Sequence, residues 1–152
     1  MKKLFNFILL ISLFSACKDV YEAPPKSLLE TKLIFSNSAE GDTLPITVHG
    51  VDKDSFIIYQ EVTDMFRMPL SRGDSTAFVV WFDTVPDTLL IKHETTLAYE
   101  SLETGFYTEH FLTGIEHTFN RIDSVVITDS TVTKYWDENI QLYINDLSDS
   151  GN

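Results

Sequence analysis

The chain has 152 residues, 11 of them basic and 23 acidic, for a formal charge of −12, and it contains a single cysteine. That length suits one domain with a real core. The acidic balance repels phosphate backbones and anionic head groups, which disfavours nucleic-acid binding and electrostatic membrane docking.

At the N-terminus, Lys2 and Lys3 form a basic head and Leu4 to Phe14 an apolar stretch broken by Asn6 and Ser12. The small residues Ser15-Ala16 then stand directly before Cys17. This is the build of a secretory signal peptide. Its roughly 11 apolar positions are too few to span a membrane, which takes roughly 17–25. With Cys at the cut, segment 1–16 resembles a bacterial lipoprotein signal. That resemblance implies cleavage before Cys17, acylation of its thiol and anchoring of the mature chain in the outer membrane. Lys18-Asp19 resembles the Lys-then-acid signal that sends Bacteroidota lipoproteins to the cell surface. Loss of Lys2 and Lys3 leaves 9 basic against 23 acidic residues, a balance of −14, so membrane attachment must come from the lipid. With its one thiol acylated, the mature chain has no disulfide, and packing and hydrogen bonds carry its stability. Residues 17–27 read as a lipidated tether. Pro24-Pro25 favours an extended backbone, and about ten residues reach up to ~30 Å.

Residues 28–146 read as strand throughout. The signals fall at Thr31–Phe35, Ile46–Val51, Ser55–Tyr59, Met65–Leu70, Ser75–Phe82, Thr88–Tyr99, Gly105–Leu112, Ile122–Thr128 and Asn139–Asn145. Ser75–Phe82 is apolar on both faces, which predicts a central strand. Thr88–Tyr99 sets Leu89, Ile91, Leu97 and Tyr99 against Lys92, Glu94 and Thr96. Turn residues separate the runs at Glu40-Gly41-Asp42, Asp52-Lys53-Asp54, Arg72-Gly73-Asp74, Val85-Pro86-Asp87 and Thr113-Gly114. About nine short strands without a mature helix point to an all-β antiparallel sandwich of immunoglobulin-like, Greek-key type. A small closed barrel is the rival architecture. Residues 147–152 are small and polar, a tail expected to fray.

Asp followed by Ser or Thr occurs before a small aliphatic residue or Thr six times, with the hydroxyls on Thr43, Ser75, Thr84, Thr88, Ser124 and Ser130. Roughly one such triplet is expected by chance. The pattern resembles the O-glycosylation sequon of exported Bacteroidota proteins, and it is equally a way to leave a turn and enter a strand. Expected exposure favours Thr43, Ser75 and Ser130. Histidines offer no metal-ligand spacing: His93 and Glu94 point to opposite faces, and His110 and His117 are seven apart. His110 shares the phase of Phe106 and Leu112 and reads as a hydrogen-bonded core residue. There is no Gly-x-Ser-x-Gly elbow, and nothing calls for a cofactor. Arg72-Gly73-Asp74 reads as a hairpin turn before it reads as an integrin motif. Trp81 reads as core, whereas Tyr135-Trp136 lies in a loop and is the best candidate for an exposed contact.

Met68-Pro69-Leu70, the Asp87–Tyr99 run, Gly105-Phe106-Tyr107-Thr108, Ile122 with Val125-Val126-Ile127, and Ile140-Gln141-Leu142-Tyr143-Ile144 together resemble a Bacteroidota family of small outer-membrane lipoproteins of unknown function. Members of that family often carry a Cys before the Gly, paired with one near the N-terminus. Here that position is Thr104, which implies that the bridge is missing. The sequence reading is thus a non-catalytic, lipid-anchored envelope protein, an accessory subunit docking on an outer-membrane protein. The alternative is a surface glycan-binding module, with an enzyme a distant third.

Overall fold

The computed structural model describes residues 26–36 and 43–145. Cys17, Lys18, Asp19 and the Glu40-Gly41-Asp42 turn lie outside the described residues. Ten strands form two sheets: β1 (Leu28–Phe35), β2 (Leu44–Gly50), β3 (Phe56–Thr63), β4 (Met65–Pro69), β5 (Ser75–Phe82), β6 (Val85–Ser101), β7 (Gly105–His117), β8 (Ile122–Ile127), β9 (Thr131–Val132) and β10 (Glu138–Ile144). One sheet runs β4-β1-β10-β8 and the other β3-β2-β5-β6-β7-β9. β3, β9, β4 and β8 stand at free edges, so the fold is a sandwich and not a closed barrel. Seven strand pairings are antiparallel, and β1 runs parallel to β10 with Leu33 opposite Leu142.

The alternating pattern explains the core. Phe78, Val80 and Phe82 of β5, Leu89 and Ile91 of β6 and Leu112 of β7 project from the larger sheet. They meet Leu29, Leu33, Phe66, Met68, Ile140, Leu142 and Ile144 from the smaller one, and all are buried. β5 lies between β2 and β6 as its two-sided apolarity predicts. Trp81 is only half-buried, because it points to the outer face, beside Thr47 and Pro86.

Two expected turns are strand. β5 and β6 close at Asp83-Thr84, with Phe82 paired to Val85, so Val85-Pro86-Asp87 already belongs to β6. Asp83 takes a φ of 57° there, a left-handed conformation that Asp tolerates better than most residues. Thr113-Gly114 lies inside β7 as a bulge: Lys92 pairs with Gly114 and His93 with Leu112, leaving Thr113 unmatched. The bulge answers a packing demand. Leu112 and Ile115 are three apart and could not face one side of a regular strand, yet both pack on the core.

The Arg72-Gly73-Asp74 segment is also not a hairpin. β4 pairs with β1 in one sheet and β5 with β2 and β6 in the other, so this loop crosses between layers.

Asp87 opens the core face of β6 and is 1 % exposed. Its carboxylate accepts from Thr118 Oγ1 (2.6 Å), Asn120 N (2.9 Å), Arg121 N (2.7 Å) and Ile122 N (3.0 Å). One buried anion thereby fixes the whole β7–β8 connection. Asn139 performs a similar task between β1, β9 and β10: its Oδ1 accepts from Glu30 N, and its Nδ2 donates to the carbonyls of Asp129 and Thr131.

Candidate functional site

Chemically versatile side chains gather in two places. The first lies inside the larger sheet. Thr95 faces His110 across β6–β7 and His93 faces Leu112, which sets the two imidazoles diagonally on the core face. Their rings are 5.0 Å apart and edge-to-face, and both residues are buried. Thr95 Oγ1 lies 3.0 Å from His110 Nδ1 and 3.3 Å from His93 Nδ1, and it donates its only proton to the Gly73 carbonyl (3.0 Å). Both Nδ1 atoms must therefore carry hydrogens and donate to Thr95. His93 Nε2 lies 2.9 Å from Thr76 Oγ1, which accepts from Ser71 N and also bonds Ser71 Oγ at 3.1 Å.

Burial favours the neutral form of both rings. Burial lowers the His93 pKa, with Asp74 opposing the shift. Burial, then the neighbouring His93, lowers that of His110 from 6.5 to about 4. The cluster holds the β4–β5 crossover loop against β6. Among the described residues no three His, Cys, Asp or Glu side chains come together to hold a metal ion. His110 sits in the core as its phase predicts. That His93 joins it was not visible in the spacing, because the Thr113 bulge sets the register.

The second place is the surface around residues 133–137, which link β9 to β10. Tyr135 and Trp136 are 68 % and 58 % exposed, as their loop position predicts. The Arg67 guanidinium lies 4.3 Å from the Trp136 ring centroid and bonds Glu30 Oε2 at 2.6 Å, so one indole face is covered. Lys134 pairs with Glu100 and lies over both the Tyr107 and Tyr135 rings. The Glu100 bond raises the Lys134 pKa. Tyr107 donates to Glu109 Oε1 at 2.6 Å, which raises its own pKa. These contacts leave a cation-braced loop presenting two aromatic side chains.

The six Asp-Ser/Thr hydroxyls do not cluster. Thr43, Ser75, Thr84 and Ser124 are exposed on separate elements, whereas Thr88 and Ser130 are half-buried. Ser130 is less open than its turn-like sequence suggests, because its carbonyl accepts from Leu112 N and pins it to β7. Asp87, the acid of the Asp87-Thr88-Leu89 triplet, is committed to the core.

At the end of the sandwich where β1 begins, a cleft of about 300 Å³ is lined by Lys26, Leu28, Leu70, Arg72, Leu97 and Phe106, among others. β6 and β7 run on past it as a two-stranded arm. Along this arm Leu97, Tyr99, Leu102 and Phe106 are 70 %, 55 %, 96 % and 63 % exposed. Leu97 and Tyr99 share a face with the buried Leu89 and Ile91, as the alternation predicts. They are exposed because the opposing sheet ends at Leu28 and Pro69.

The fold and its surface thus define a two-sheet, all-β domain with a buried polar clasp, an aromatic loop and a projecting arm. The chain belongs to a family of unknown function, DUF6452, whose model matches residues 45–144. No curated protein and no solved structure matches it.

Proposed function

We propose that this chain is a non-catalytic protein of the cell envelope. It is tethered to the outer membrane through a lipid on Cys17 and acts as an accessory subunit on an outer-membrane protein. The observation that carries this reading is the division between interior and surface. His93, His110 and Asp87 are buried and bonded to groups that hold strands and loops, while Tyr135 and Trp136 stand in solvent on a braced loop. Aromatic side chains held rigid in this way are the usual anchors of protein interfaces. Lys18-Asp19 directs the domain to the cell surface.

The test is recovery of partners with the tagged full chain from mild detergent. Tyr135→Ala with Trp136→Ala should reduce that recovery several-fold while the melting temperature holds. Cys17→Ser should release the protein from the outer membrane or leave it unprocessed; normal processing with continued detergent partitioning would overturn the lipid anchor. The exposed rings also favour a second reading, a glycan-binding surface. Retention on a polysaccharide column, lost in Trp136→Ala while co-purifying proteins stay bound, would select it.

A further inference from the structure

We infer that the β6–β7 arm is a membrane-contacting element. Its face carrying Leu97, Tyr99 and Phe106, together with Leu102 at the tip, sits in the head-group region of the bilayer that holds the lipid anchor. This deepens the anchoring reading and rests on it.

The chain enters the fold beside the arm. Lys26 and Leu28 line the same cleft as Leu97 and Phe106. Cys17 precedes Lys26 by nine residues, a reach of at most ~30 Å when extended. A lipid on Cys17 therefore tethers the domain at this end and keeps it within ~30 Å of the bilayer. The opposite end carries the Asp83-Thr84 turn and the His117–Ile122 connection. His117 pairs with Leu89, ten strand positions short of Tyr99, so Phe119 lies ~30 Å from the arm.

The chemistry of the face suits a membrane–water interface. Tyr99 and Phe106 stack edge-to-face with centroids 5.4 Å apart, a compact aromatic pair of the kind that settles at membrane–water interfaces. Leu97 and Leu102 add aliphatic surface to either side. Lys26 and Arg72 flank the cleft, and neither takes part in the four ion pairs among the described residues. On a mature chain with 9 basic residues against 23 acidic, two such cations beside an apolar face match lipid phosphates above acyl chains. The carboxylates limit the depth. Glu100 is neutralised by Lys134, but Glu103 is exposed beside Leu102 and keeps the tip at head-group level. Contact must come from apolar burial, as for other interfacial elements, because the net charge opposes it.

The acylation of Cys17 makes the experiment clean, since an introduced cysteine is then the only free thiol. Lipidated full chain carrying Leu102→Cys is labelled with bimane and reconstituted in phosphatidylethanolamine–phosphatidylcholine vesicles containing head-group-proximal spin-labelled lipid. Phe119→Cys serves as the exposed apolar control at the far end. The expected result is a blue-shifted emission and several-fold stronger quenching at position 102 than at 119. Both effects should disappear when Leu97→Asn and Phe106→Asn are added, while flotation with the vesicles persists. Water-like emission at 102 in protein that floats would overturn the inference and leave the anchor standing. Shielding at 102 in native membranes alone would do the same and assign the arm to a protein partner. Protein that does not float would overturn the anchor and the inference together.

Discussion

Asp87→Asn keeps the size and shape of the side chain and should still destabilise the domain heavily. Oδ1 accepts from Thr118 Oγ1 and Asn120 N, and Oδ2 accepts from Arg121 N and Ile122 N. All four contacts are donors, so an amide must turn its own N–H groups on one of the two pairs. If it faces the Arg121 and Ile122 side, two buried backbone N–H groups lose their acceptor, at about 1–3 kcal/mol each. The charge assistance on the remaining pair is lost as well. Turned instead toward Thr118 and Asn120, it strands one N–H, since the Thr118 hydroxyl can accept. Asp87→Asn therefore costs about 2–4 kcal/mol, and Asp87→Ala, which strands all four donors, costs more. For a domain of this size that lowers the melting temperature by on the order of 10 °C. Differential scanning calorimetry and urea titration of wild type, Asp87→Asn and Asp87→Ala give the comparison. A fall of less than ~2 °C in Asp87→Asn would show that water or loop movement replaces the carboxylate and that the four-donor argument is wrong.

Phe78 is 1 % exposed on the central strand, so Phe78→Ala should cost about 3–5 kcal/mol through lost burial and an unfilled cavity. An unchanged urea midpoint would refute that placement. The two buried histidines make an acid-labile clasp. His110 titrates at about 4 in the fold against 6.5 otherwise, so the unfolded chain binds the extra proton between those values. Stability is complete above pH 6.5 and falls as the pH drops toward 4, by up to about 3 kcal/mol from His110. The urea midpoint of wild type should drop more steeply over this window than that of His110→Gln, and parallel slopes would dismiss the clasp. Replacing Lys18 and Asp19 by Ala should protect the domain from protease added to intact cells. Wild type as resistant as a periplasmic control would remove the surface assignment.

What the sequence revealed and what it hid divide along a physical line. Period-two alternation is local, so the strand identity of β5 and β10, the two-sheet class and the core phase of His110 were all legible. The β6–β7 register was not. Without the bulge at Thr113, Thr95 would pair with Phe111, and His110 would turn to the outer face, since a one-residue slip inverts every side chain. A sequence signal existed in the apolar spacing, which shifts phase between Leu112 and Ile115, but Thr113-Gly114 equally resembles a turn. Asp87 was hidden for a related reason. Val85-Pro86-Asp87 has turn composition, and only the fold brings the four donors of residues 118–122 to its carboxylate. Likewise β9, two residues long, has no period of its own and exists because His110 and Phe111 offer it partners.

The arm asks a sharper question about selection. A two-stranded ribbon projecting beyond its sandwich is marginal in water without further support. Here the support is visible. Gly105 supplies the φ of 77° that closes the end, Ser101 Oγ and Thr104 Oγ1 bond at 2.8 Å, and Lys134 clamps Glu100 from β6. The Tyr99–Phe106 contact adds about 0.5–1.5 kcal/mol across the strands. None of these devices involves Leu102, which is 96 % exposed and packs against nothing that holds the hairpin. A polar residue there would serve the fold as well and the solvent better. An apolar tip on a chain this acidic is what the proposed membrane contact requires, and the start of β1 lies at the end of the sandwich where that contact would form.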